Sequence, residues 1–163
     1  MKKTLVFVLL GTNLGKRKEN LRYAIIEIEK LHISSLRISS IYKSEPWGFE
    51  SENYFLNQCL SFYTELNPEE LLICLKEIEV SIGRTKTSDS GYEDRILDID
   101  ILFFGSRIIN LEQLVIPHPR IAERRFTLQA VADLASDLIH PVHRKSIADL
   151  LNICPDNSIV IKL

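Results

Sequence analysis

Asp98 and Asp100 stand two residues apart in Arg95-Ile-Leu-Asp-Ile-Asp-Ile-Leu-Phe-Phe104, where acids alternate with branched aliphatic residues. Alternation at that period is a strand signature, and side chains two apart on a strand point to one face. The spacing predicts two carboxylates that project together while Leu97, Ile99 and Ile101 enter a core. Two carboxylates at such range repel unless a cation sits between them. Hard oxygen ligands with no histidine or cysteine companion suit magnesium better than zinc, and a phosphate ligand would supply further oxygens. Paired ions held in this way bridge phosphate oxygens and neutralise charge developing in an in-line displacement. The same pattern also fits a solvated acidic sheet face, because Asp-x-Asp by itself is common.

A second group with chemical potential is His118-Pro-Arg-Ile-Ala-Glu-Arg-Arg-Phe126, which sets a histidine and three arginines beside a predicted helix start. Guanidinium groups bind phosphate oxygens in a bidentate way and keep their charge when partly desolvated, so this stretch can clamp a triphosphate. A solvated basic helix face is the plainer alternative. The loop Gly83-Arg-Thr-Lys-Thr-Ser-Asp-Ser-Gly91 adds Arg84 and Lys86 on a glycine-bounded segment beside the acidic strand. It is placed to close over phosphates, or to serve only as a surface connection. Phe55, Phe126, Trp47 and Tyr92 flank the polar segments and suit a flat heterocycle held between ring faces. Gly11-Thr-Asn-Leu-Gly15-Lys16-Arg17 looks like a phosphate loop but fails the test: its glycines are one residue too close and arginine replaces the required Ser or Thr. His32, His140 and His143 have no partner pattern and are read as structural.

These residues need a frame. Thr4 to Leu10 reads as a first strand, Gly11 to Gly15 as a turn, and Leu21, Ala24, Ile25, Ile28 and Leu31 recur at helical spacing. Leu36 to Tyr42 and Phe55 to Thr64 read as strands separated by the loop from Lys43 to Glu52. Asn67-Pro-Glu-Glu70 announces a helix, with Asn67 as N-cap, and Leu71, Leu75, Ile78 and Ile82 as its buried stripe before Gly83 stops it. With the aspartate strand this gives strand, helix, strand, strand, helix, strand. That order predicts an α+β fold with a ferredoxin-like split βαβ core, a mostly antiparallel sheet covered by helices on one face. Residues 107 to 118 hold two short strand-like pieces. A helical extension follows, with helices over Phe126 to Leu138 and from Ser146 through Leu151, then a last short strand from Ser158 to Lys162.

Composition narrows the function classes. A chain of 163 residues with 45% hydrophobic content suits one domain, 1–163, with a proper core. A formal net charge of -2 leaves no general footprint for nucleic acid or an anionic membrane, so an anionic ligand must be held locally. Cys59, Cys74 and Cys154 are odd in number and widely spaced, which argues against a disulfide framework and for a reducing cytoplasm. Met1-Lys-Lys-Thr-Leu-Val-Phe-Val-Leu-Leu10 imitates a secretory signal, but its apolar run is short and lacks a small-residue cleavage site. A monomer is expected from size and the absence of a long apolar surface run.

Taken together, these residues resemble the hydroxymethyldihydropterin pyrophosphokinases, which transfer pyrophosphate from ATP to the hydroxymethyl group of a reduced pterin in folate biosynthesis. The ordered motifs run from Gly11-Thr-Asn-Leu-Gly15 through Ser40-Ile-Tyr-Lys-Ser-Glu-Pro46, Phe55-Leu-Asn57, Gly83-Arg84 and Arg95-x-x-Asp98-x-Asp100 to Pro117-His-Pro-Arg120 and Arg124-x-Phe126. They cover about residues 4 to 145. The resemblance implies that Asp98 and Asp100 hold two magnesium ions bridging the phosphates of ATP, the co-substrate. It implies that Arg95, His118 and Arg124 bind the triphosphate, with Lys86 beside them, that Glu79 meets the nucleoside, and that Arg84 steadies the transferring group. Arg84, Arg95, Asp98 and Asp100 then form the catalytic set. Phe55 and Phe126 would sandwich the pterin, while Asn57 and backbone groups near Ser44 and Pro46 read its polar edge. The pterin hydroxyl would attack the β-phosphorus with AMP leaving, and Asp100 is a candidate to assist deprotonation through the metal.

The chain also departs from the family pattern. Glu93-Asp94 stands where Gly-Pro is expected before the motif arginine, Tyr92 where Trp is frequent, Lys86 where arginine is common, and the loop is one residue longer. The added acids either face the phosphates or face solvent. From the residues alone, two other classes stay open: a non-catalytic ferredoxin-like ligand-binding or regulatory module, and a magnesium-dependent phosphohydrolase with water as acceptor.

Overall fold

In the computed structural model, which describes residues 2–83 and 93–163, the chain runs β1 (Thr4–Thr12), α1 (Arg17–Glu29), β2 (Ser34–Ile38), β3 (Tyr42–Ser44) and β4 (Phe55–Thr64). It continues through α2 (Pro68–Ser81), β5 (Asp98–Phe104), β6 (Ile109–Leu111), β7 (Leu114–Ile116), α3 (Arg125–Ala135), α4 (Ile147–Asn152) and β8 (Val160–Lys162). The main sheet has the order β5-β1-β4-β3-β8, with β2 also paired to β4, and β6 and β7 form a separate hairpin. β1 is antiparallel to both β4 and β5. Strand order and directions are those of a split βαβ unit, extended at one edge by β8.

The one-face expectation is corrected by the second pair of helices. Val6, Val8 and Leu10 of β1 pack with Leu21, Ala24 and Ile28 of α1 and Leu71, Leu75 and Ile78 of α2. Phe7 and Leu9 point the other way, into a cluster with Leu128 and Val131 of α3 and Ile147 and Leu150 of α4. Helices cover both faces, which is why β1 is an uninterrupted apolar run rather than an alternating one.

Three boundaries differ from the sequence reading. The strand expected over Leu36 to Tyr42 is two strands, because Ser39 Oγ accepts the Cys59 N–H at 2.9 Å and the Ser40 N–H is turned to Asp133 Oδ2 at 2.7 Å. β1 continues through Gly11 and Thr12, which pair with Asn57 and Leu56, so the turn begins only at Asn13. The acidic strand begins at Asp98 rather than Arg95. α2 follows its local signals: Asn67 Oδ1 accepts the Glu70 N–H, Glu70 Oε2 accepts the Asn67 N–H, both at 2.9 Å, and Gly83 follows the last turn at φ +104°.

Candidate active site

The antiparallel registers bring the chemistry to one end of the sheet. Gly11 pairs with Asn57 on β4 and with Asp98 on β5, so Asn57, Gly11 and Asp98 form a row across three strands. Leu9 pairs with Asp100 in the row beneath. Because Gly11 has no side chain, the space between Asn57 and Asp98 stays open; a Cβ there would stand 3.8 Å from Asn57 Oδ1 and 3.9 Å from Phe55 Cδ1. The result is a cleft of ≈ 380 Å³, walled by β3, the loop after it, β4, β5, and the segment from His118 into α3.

Eleven of the sequence-predicted residues line this cleft: Ser44, Trp47, Phe55, Asn57, Arg95, Asp98, Asp100, His118, Arg120, Arg124 and Phe126. Glu93, one of the two added acids, also lines it, as do Gly11, Glu45 and Phe49, which were not foreseen as site residues. Phe49 stacks edge-on against Phe55 at 6.1 Å, and the aromatic loop Trp47-Gly-Phe49 was the only signal for it. Pro46 is not in the wall, although its neighbours Glu45 and Trp47 are. Arg84, Lys86 and Tyr92 lie outside the described residues.

Glu79, which the resemblance assigns to the nucleoside, is bound to the strand that carries the aspartates. Its carboxylate is 1% exposed, stands 3.2 Å from Lys76 Nζ, and accepts the Ile99 N–H at 2.7 Å. β5 is an edge strand, so its outward N–H groups need partners other than a neighbouring strand. Glu79 supplies one at the residue between the two aspartates, fixing the strand beneath the cleft.

Asp98 and Asp100 share a face, as the period of two requires, and both reach the cleft. Arg95 Nη1 pairs with Asp98 Oδ1 at 3.0 Å. Burial, followed by the charge of Asp98, pushes Asp100 up to about 7 against the opposing pull of Lys76 and Arg124. A raised carboxyl beside a second carboxylate is what a site for a cation looks like when only protons compete for it. Among the described residues no third His, Cys, Asp or Glu joins them as a metal ligand. Oxygens from a ligand or water would complete the shell, which fits a magnesium–phosphate site.

The cationic wall is set by backbone geometry. Phe7 pairs with Phe103 and Val8 with Ile101, which leaves Leu102 as an extra residue, a bulge in β5. The Leu102 carbonyl accepts the His118 N–H at 3.0 Å and thereby fixes the entry to the basic segment. Burial, and next the charge of Arg124, lowers His118 to about 4, so its imidazole is neutral at pH 7. Its Nδ1 accepts the Arg120 N–H at 3.1 Å, which leaves Nε2 as the protonated, donating nitrogen. Trp47 is engaged by two cations: the Arg124 guanidinium lies 4.7 Å from its ring centroid and that of Arg120 5.7 Å.

The two added acids separate in role. Glu93 lines the cleft. Asp94 is turned into a clasp, with Oδ1 accepting from Asn13 Nδ2 at 2.7 Å and Oδ2 from Asn53 Nδ2 at 3.1 Å. Hydrogen bonds from Ser51, Asn13 and Asn53 hold its carboxyl below the ordinary carboxylate range despite opposing burial. Asn13 Oδ1 in turn accepts the Arg95 N–H at 2.6 Å, tying the turn after β1 to the segment that leads into β5. His140 lies away from the cleft, packed on Phe103 with Nδ1 accepting the Val142 and His143 N–H groups.

Residues 7–136 match the family model described as 7,8-dihydro-6-hydroxymethylpterin-pyrophosphokinase. The chain is 35% identical over 156 residues to the 2-amino-4-hydroxy-6-hydroxymethyldihydropteridine pyrophosphokinase of Aquifex aeolicus, covering 94% of this chain and 92% of that protein. It is 40% identical over 157 residues to the folic acid synthesis protein fol1 of Pneumocystis carinii, but spans only 20% of that longer protein. Among solved structures, a Plasmodium falciparum HPPK-DHPS with pteroate shares the fold at a TM-score of 0.73 and 16% identity, over 93% of this chain and 44% of that one. No helix among the described residues is long and apolar enough to cross a membrane.

Proposed function

The chain belongs to the 7,8-dihydro-6-hydroxymethylpterin-pyrophosphokinase family, and from that premise we propose that residues 1–163 act as one catalytic unit transferring pyrophosphate from ATP to the hydroxymethyl group of 6-hydroxymethyl-7,8-dihydropterin. The products are AMP and the pterin diphosphate, a step of folate biosynthesis. The observation that carries this reading is the convergence of an acidic pair, a cationic wall and an aromatic pocket on one cleft.

Asp98 and Asp100 would hold two magnesium ions, which would supply positive charge to the triphosphate oxygens and where negative charge develops. Arg95 and Arg124 bind phosphate oxygens, and His118 donates from Nε2 without adding a charge. Arg84 and Lys86 complete the phosphate contacts, and Glu79 serves ATP indirectly by fixing Ile99. Asn57 Nδ2 donates to Ser44 Oγ at 2.8 Å and to the Tyr42 carbonyl at 3.2 Å, so the amide is held rigid against the cleft. Its carbonyl oxygen then reads the pterin's polar edge together with backbone groups near Ser44 and Pro46, while Phe55 and Phe126 cover the ring faces. A rigid polar site rejects analogues that leave its buried groups unmatched. Catalysis comes from alignment of the hydroxyl with the β-phosphorus and from charge neutralisation, with no protein nucleophile.

The three cysteines are free and the chain works as a monomer in a reducing cytoplasm; a light-scattering mass of a dimer would contradict the monomer. Incubation with ATP, magnesium and the pterin tests the reaction. AMP and pterin diphosphate should form only when the pterin is present; release of phosphate without pterin would mark a hydrolase instead.

A further inference from the structure

The match to the family model ends at residue 136, yet the segment after α4 reaches back to the scaffold of the cleft. α3 starts with Arg124 at its N-cap position, and Arg124 makes no side-chain cap. An arginine side chain has no acceptor, so the first-turn N–H groups of the helix need partners from elsewhere. Asp156 supplies one: its Oδ2 accepts the Arg125 N–H at 2.9 Å, while its Oδ1 accepts the Ser158 N–H at 2.9 Å and fixes the carboxylate's own orientation.

Two further ties hold the same segment against site elements. β8 lies along β3, with Val160 opposite Ser44 and Lys162 opposite Tyr42. Lys162 Nζ lies 3.3 Å from Asp133 Oδ1 on α3, and Asp133 Oδ2 accepts the Ser40 N–H. The helix is thus held at its first turn and along its length by one stretch of chain. Its first turn carries Phe126, 8% exposed, and follows directly on Arg124, whose guanidinium sits over Trp47.

We propose that Asp156 is a positioning residue of the active site: by bonding the Arg125 N–H it sets the first turn of α3, and with it the Arg124 guanidinium and the Phe126 ring. The inference rests on the reading of those two side chains as substrate contacts. It makes the segment that follows residue 136, where the family-model match ends, a determinant of substrate affinity, not only of stability.

Trp47 is the only tryptophan of the chain, so its emission reports the Arg124 stack without any ligand. Asp156→Ala is expected to shift that emission and to raise KM for both ATP and the pterin about five- to tenfold, with kcat changed less than about threefold. Asp156→Asn keeps a carbonyl oxygen for the Arg125 N–H and should stay within about twofold of the parent. Should Asp156→Ala not fold, Asp156→Glu carries the same test, because its longer side chain displaces the acceptor. An altered Tm with unchanged emission and unchanged KM values overturns the assignment, as does an Asp156→Asn variant no better than Asp156→Ala. A parent protein that binds neither substrate would sink the reading of the cleft; the emission of Trp47 would then decide the role of Asp156 by itself.

Discussion

Arg95 Nη1 stands 3.0 Å from Asp98 Oδ1, so the two carboxylates of β5 are not equivalent: Asp98 has a fixed countercharge and Asp100, two residues on, is pushed up to about 7. One strand face therefore presents a carboxylate paired with an arginine beside a carboxyl that burial and its neighbour push up.

The stability of Asp100→Asn should depend on pH in a defined sense. The folded value of about 7 lies above the ordinary ~3.9, so the native state keeps a proton that the unfolded state loses, and stability falls as pH rises from ~4 to 7. Asparagine cannot ionise. In metal-free buffer the variant should match the parent near pH 4 and exceed it at pH 8 by on the order of 2 kcal/mol, solvent screening having reduced the full ~1.4 kcal/mol per unit. A stability difference equal at both pH values contradicts this.

Gly11 is expected to matter for binding rather than for folding. A Cβ at this position meets only ordinary contacts, so Gly11→Val should fold with a Tm within a few degrees of the parent, while its branches fill the gap between Asn57 and Asp98. Its pterin KM should rise more than about tenfold. Unchanged pterin binding would show that the ligand does not lie over the row.

Trp47 should act through arginine. Trp47→Leu removes the stack beneath Arg124 and should raise the ATP KM about three- to tenfold, whereas Trp47→Phe should lose less. Steady-state kinetics separate the two; equal losses would mean that bulk, and not the ring face, is what counts.

Glu79→Ala leaves the Ile99 N–H without its acceptor and should cost about 2 kcal/mol in denaturant unfolding. Glu79→Gln retains an acceptor and should cost less. An alanine variant within ~0.5 kcal/mol of the parent would contradict the anchoring role.

What could be read from the sequence was local. α2 announced itself through Asn67, Pro68 and Glu70, whose capping chemistry acts within one turn, and β4 through ten residues of unbroken strand character. The shared face of Asp98 and Asp100 follows from the period of a strand alone. Long-range pairings were hidden: Gly11 read as a turn because nothing nearby reveals that it lies between Asn57 and Asp98. Glu79 had a role only through the family resemblance, and nothing local reveals that an edge-strand N–H bonds to it. Trp47 reads as free to stack on a heterocycle, and two arginines more than seventy residues further on stack on it instead. The continuous apolar run of β1 marks burial on both faces, which α1 and α2 provide on one side and α3 and α4 on the other.

Calorimetric titration of magnesium and ATP into the parent and into Asp98→Asn/Asp100→Asn tests the acidic pair most directly. The parent should bind the nucleotide far more tightly with magnesium than without it, and the double variant should lose that gain while remaining folded. Equal magnesium-dependent affinity in the two proteins would contradict the account.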